Sequence, residues 1–123
     1  MKSMSFSSVL AAVVAIAGAT AAGPAQARTS YDGPWTVLIM TQHGACDSGV
    51  SFAVDIRDGA VHGYGGFDVR GRVAGSGAVQ VRVSAGDQSA SGSGRLAGYS
   101  GGGTWRGAGS RGTCSGRWAA SRR

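Results

Sequence analysis

The sequence predicts an all-β fold: a small eight-stranded antiparallel up-and-down β-barrel, with a two-sheet β-sandwich as the alternative. Three observations predict it. Apolar and polar residues alternate with a period of two through most of the chain beyond Gly33, and no helical period appears there. Proline occurs only at Pro24 and Pro34, so no strand is interrupted by it. The cysteines, Cys46 and Cys114, stand where closure of the sheet would make them neighbours.

Residues 1–27 read as a secretory signal peptide. Lys2 supplies a positive start, Val9–Ala22 is apolar, and Ala25-Gln26-Ala27 fits a small-x-small cleavage pattern. The apolar run is about 14 residues, short of the ~20 that span a bilayer. Residues 28–123 then form a single domain, placed in the periplasm or the medium. It holds 11 arginines, 6 aspartates, and no Lys, Glu or Asn, for a net charge of +5.

Trp35–Thr41 is the first strand, after the turn-like Asp32-Gly33-Pro34. His43–Gly49 is a loop. Val50–Arg57 places Phe52, Val54 and Ile56 on one face and Ser51, Asp55 and Arg57 on the other. Asp58-Gly59 is a two-residue hairpin signal, followed by the short return strand Ala60–Tyr64. Next, Phe67, Val69, Gly71 and Val73 share a face, then Val79, Val81 and Val83. The remaining strands carry inward sets of Ala90, Gly92, Gly94 and Leu96; of Gly103, Trp105 and Gly107; and of Cys114, Gly116, Trp118 and Ala120.

In an eight-stranded meander the end of the first strand and the start of the last share one end of the sheet. Cys46 and Cys114 occupy those places, and an exported chain forms disulfides. A bridge needs Cα atoms within about 7 Å, so a Cys46–Cys114 disulfide favours closure over an open sheet. A sandwich also brings the two together. The bridge would close a loop of roughly 70 residues, worth on the order of 4 kcal/mol in the chain-entropy description.

Glycine recurs two residues before each tryptophan, at Gly33, Gly103 and Gly116. Aromatic rings cover bare glycines on sheets, so the rings are expected to fill a barrel whose walls are thinned by glycine. The other reading is a ligand cavity lined by Trp35, Phe52, Phe67, Trp105 and Trp118, left open by Ala90, Gly92, Gly94 and Gly107.

Several motifs point to no chemistry in this context. Gly98-Tyr-Ser-Gly-Gly102 matches a nucleophile elbow without the strand-turn-helix it needs. Gly107-Ala-Gly-Ser-Arg-Gly112 matches a dinucleotide fingerprint without a βαβ unit. His43 and His62 are isolated, and the aspartates sit at turns or on outer faces. No enzyme activity, cofactor or metal is expected. The outward arginines Arg70, Arg72, Arg82, Arg95, Arg106 and Arg117 form a cationic surface suited to anionic polysaccharide or lipopolysaccharide. Nucleic acid is not expected, because the aromatics point inward. Membrane spanning is not expected, given the outer arginines and strands read as shorter than the 9–11 residues required.

The segments Tyr31-Asp-Gly-x-Trp35, Gly65-Gly-Phe-Asp-Val69, Ala90–Leu96, Gly103-Thr-Trp105 and Cys114-Ser-Gly-Arg-Trp118 resemble a group of small exported alphaproteobacterial proteins. The resemblance implies compartment and fold, and no activity. A coarser likeness, of architecture alone, links the chain to avidin, lipocalin and bacterial protease-inhibitor barrels. The expected function is that of an exported, non-enzymatic binding or structural barrel with a basic surface meeting anionic envelope or matrix components. Its alternatives are a small-ligand carrier with a tryptophan-lined interior and a protease inhibitor acting through residues 28–34 or a loop.

Overall fold

A computed structural model describes residues 29–123; the expected signal peptide lies outside them. The described residues form a closed barrel of eight consecutive antiparallel strands. These are β1 (Gly33–His43), β2 (Val50–Arg57), β3 (Ala60–Gly63), β4 (Asp68–Val73), β5 (Ala78–Ala85), β6 (Gln88–Ala97), β7 (Ser100–Gly109) and β8 (Gly112–Arg122). Closure is made by β1 and β8, with Trp35 opposite Arg122 and Ile39 opposite Trp118. The sandwich alternative is thereby set aside.

The alternation of the sequence becomes the inside and outside of the barrel. Trp35, Val54, Ile56, Val61, Val73, Val79, Leu96, Trp118 and Ala120 form one buried cluster. Asp58 and Gly59 both have positive φ, 52° and 78°, as a tight two-residue hairpin turn requires. The two glycine motifs resolve as hairpins: Gly98 and Tyr99 join β6 to β7, and Ser110 and Arg111 join β7 to β8.

Cys46 and Cys114 are bonded, with Cα atoms 6.1 Å apart. The bridge ties the β1–β2 loop to the start of β8. Gly44 makes this possible: its φ is +96°, and a Cβ there would come within 2.8 Å of the Cys114 Cα. The loop is further held by Thr41, whose backbone N–H donates to the Ser48 hydroxyl at 2.9 Å and whose hydroxyl donates to the Asp47 carbonyl at 2.8 Å.

Two expectations are corrected. β4 begins at Asp68, so Phe67 lies in the preceding loop and is 54% exposed. Strand lengths reach 10 or 11 residues in β1, β6, β7 and β8, so strand length does not separate this barrel from one that crosses a membrane. Full pairing around the closed ring lets these strands run further than their apolar positions alone indicate. No described helix is long and apolar enough to cross a membrane.

Candidate functional site

One end of the barrel is closed by the segment that leads into β1. Asp32 is the clasp. Its carboxylate accepts hydrogen bonds from the backbone N–H groups of Asp58 and Gly59, at 2.8 and 3.1 Å, and from the Thr29 hydroxyl at 2.8 Å. Burial pushes the Asp32 carboxyl up, but these hydrogen bonds outweigh it and hold the pKa below its ordinary 3.8. Arg122 is the second fastening. Its guanidinium donates to the Ser30 carbonyl at 2.9 Å and to the Asp32 carbonyl, and stacks over the Trp35 ring, 5.4 Å from its centroid. The Trp35 indole N–H donates to the Tyr31 carbonyl at 2.8 Å, and the Trp35 side chain is 1% exposed. Residues 29–34, through which a protease inhibitor would act, are thus folded across the barrel end.

The other two tryptophans lie along the wall. Trp118 on β8 pairs with Gly103 on β7 and donates its indole N–H to the Ser93 carbonyl on β6, at 3.2 Å. Trp105 on β7 pairs with Gly116 on β8 and donates to the Met40 carbonyl on β1, at 3.1 Å. Each ring crosses its neighbour strand at a glycine, which offers no side chain to block it, and is anchored on the strand beyond. Gly94 belongs to the same arrangement: a Cβ there would come within 2.7 Å of the Trp118 ring.

Rings held against the wall leave the lumen open. A cavity of about 210 Å³ lies inside, and the surface exposed to it is wholly apolar. Trp35, Phe52, Trp105 and Trp118 line it, as expected from the sequence, together with valines from β1 to β5 and the small residues Ala90 and Gly92. Phe67 does not line it. Phe67 stacks on Phe52 at the opposite end from Asp32, ring centroids 6.4 Å apart.

That opposite end is a mouth, a wider depression of about 520 Å³ that shares Ile39, Phe52, Val69, Val83, Ala90 and Trp105 with the cavity. Five large apolar side chains are exposed among the described residues, and three of them, Val50, Tyr64 and Phe67, line this mouth. The disulfide half-cystine Cys46 is part of its rim, with Asp47 and Arg111, whose side chains approach to 3.7 Å.

The six arginines expected to face outward all do so, on β4 to β8, and all are exposed. His62 lies on the outer phase of β3, opposite Asp55. Among the described residues no three His, Cys, Asp or Glu side chains gather into a metal-binding group.

The residues missed by sequence reasoning are Asp32 and Arg122 at the closed end and Val50 and Tyr64 at the mouth. Arg122 was legible in principle. It continues the inward series Cys114, Gly116, Trp118, Ala120 by one more step of two. The class defined by fold and site is a single-disulfide eight-stranded barrel with one end latched, one end open and an apolar interior. No protein-family model, curated protein or solved structure matches the chain.

Proposed function

We propose that this barrel is an exported, non-enzymatic binding protein that carries a small apolar or amphipathic molecule in its interior. The observation that carries the reading is the cavity itself: about 210 Å³, with a wholly apolar surface, capped at the Asp32 end and sharing six lining residues with a mouth of mixed polarity. An apolar cavity of about 150 Å³ stays dry and takes up a benzene-sized molecule. This one suits a single ring or a short acyl chain, with a polar head left at the mouth beside Arg111, Gln88 and Ser89. The disulfide is compatible with an oxidising, exported setting, and the exposed arginines on the outer wall argue against a lipid-embedded barrel. Burial of apolar surface would supply the affinity.

The test is a titration with straight-chain carboxylates and monocyclic aromatics, followed by fluorescence of Trp105 and Trp118 and by the valine methyl resonances. Saturable changes in both are expected. Gly92→Leu is the control: Gly92 lines the cavity, and a Cβ there makes only ordinary contacts, 3.5 Å to the Thr104 carbonyl oxygen and the Trp118 indole nitrogen and 3.7 Å to the Trp105 Cβ. This variant should keep the wild-type melting temperature and lose binding more than about tenfold. Unaltered spectra across the whole ligand series would sink the proposal.

A further inference from the structure

The outer wall carries an excess of positive charge on one side only. The outward positions of β1 are uncharged, and on β2 and β3 the only arginine, Arg57, is paired with Asp55 at 3.2 Å. The outer faces of β4 to β8 carry Arg70, Arg72, Arg82, Arg95, Arg106 and Arg117 against one strand carboxylate, Asp68, which lies 3.5 Å from Arg70. No carboxylate of the described residues is in ion-pair reach of Arg72, Arg82 or Arg106.

Register arranges these side chains in two rows across the strands. In the first, Arg70 is directly opposite Arg82, Arg82 opposite Ser91, Ser91 opposite Arg106, and Arg106 opposite Ser115. In the second, Arg72 faces Gln80, Gln80 faces Ser93, Ser93 faces Thr104, and Thr104 faces Arg117. Arg95 lies outside both rows. An open, shallow depression on this wall is bordered by Arg70, Arg72, Arg82 and Arg106, with Ser91 and Ser93 in its floor.

Like charges directly opposite on neighbouring strands destabilise a sheet. The Arg70–Arg82 pair therefore acts against folding, and a bound anion would offset it. Neighbouring strands are about 4.8 Å apart, so the backbone positions that carry arginines one and two strands apart are spaced by about 5 and 10 Å. That is the scale of consecutive charges on a sugar chain. Between them the floor offers serine and threonine hydroxyls and a glutamine amide, which suit sugar hydroxyls. Its one aromatic residue, Trp105, also lines the interior cavity and spends its indole N–H on the Met40 carbonyl, which does not make an outer platform for base stacking.

We infer that the β4–β8 wall is a second binding site, for a linear anionic polysaccharide bearing carboxylate or sulfate groups. Arg70, Arg82 and Arg106 hold its charges, and Ser91, Ser93 and Thr104 its hydroxyls. The site lies on the opposite side of the sheet from the interior cavity, so either can fail without the other.

The experiment compares wild type, the double variant Arg82→Ser/Arg106→Ser, and Arg57→Ser on the charge-balanced side. Each is titrated with heparin, with polygalacturonate and with a duplex oligonucleotide of matched charge, at several salt concentrations. Wild type should bind both polysaccharides, weakening steeply with salt. The double variant should lose about tenfold or more in affinity, with an unchanged or higher melting temperature because a like-charge row has been thinned. Arg57→Ser should bind as wild type. Equal binding by the double variant, tighter binding of the duplex than of either polysaccharide, or no binding at low salt would each overturn the inference. Ligand uptake by the double variant reads the interior separately.

Discussion

The two ends of this barrel close by different chemistry, and the difference separates a fixed floor from an adaptable opening. At the Asp32 end, closure is polar and local to a few atoms. One carboxylate caps the Asp58-Gly59 turn, one guanidinium binds two backbone carbonyls, and the indole of Trp35 is sealed beneath it. At the mouth, the chain is tied covalently at one point, Cys46–Cys114, while Val50, Tyr64 and Phe67 remain exposed. Directed hydrogen bonds to backbone fix a geometry. The cross-link and the Thr41 hydrogen bonds hold the backbone of the β1–β2 loop, while the apolar side chains around the mouth stay exposed to meet a ligand.

The largest effect should come from cutting the mouth's cross-link. Cys114→Ser removes a bridge spanning 68 positions in sequence, worth on the order of 4 kcal/mol. A drop in melting temperature of roughly 20 °C follows for a domain of this size. A melting temperature within a few degrees of wild type would show the bridge to be idle.

Next in size, Arg122→Ala opens the closed end. It removes two charge-assisted hydrogen bonds and a cation–π contact, about 2–3 kcal/mol together. Chemical denaturation should show that loss, and Trp35 should become accessible to acrylamide quenching. Quenching of Trp35 as slight as in wild type would mean that the segment over it holds without Arg122.

The Asp32 clasp makes a smaller, pH-dependent contribution. Its pKa is depressed in the folded state below the ordinary 3.8, so the contribution is fully present above that unfolded value and is lost as pH falls through the folded value. Asp32→Asn should therefore cost about 1 kcal/mol at neutral pH and little at the acid end of that window. Parallel stability curves for wild type and variant over pH 2–6 would remove Asp32 from the closure.

Phe67→Ala should be nearly silent in stability, since the side chain is 54% exposed, and should weaken binding of the longer ligands by up to about tenfold. A strong loss of stability from this variant, rivalling that of Arg122→Ala, would erase the contrast between the two ends.

How much of this was legible in the sequence depends on the range of the physics involved. The eight strands, their inward and outward faces and the pairing of Cys46 with Cys114 follow from a period of two and from up-and-down order, and the structure reproduces them. Phe67 failed because alternation says which face a residue takes, and not where pairing stops; the β3–β4 loop ends one residue later than the pattern implies. Val50 and Tyr64 were read as strand termini, because convergence at one mouth arises only when non-adjacent loops meet.

What the sequence alone determined was the eight strands and which face of each is apolar: alternation and turn residues are local, and each acts within a few residues. What the tertiary structure decided was whether its interior is solid. A tryptophan ring is large enough to fill the lumen or to lie along its wall, and glycine at Gly103 and Gly116 permits both. The choice is made by carbonyls two strands away, Ser93 for Trp118 and Met40 for Trp105. Buried indole N–H groups must find a hydrogen-bond acceptor. Here that requirement draws both rings onto the wall and leaves the space that the proposed ligand would occupy.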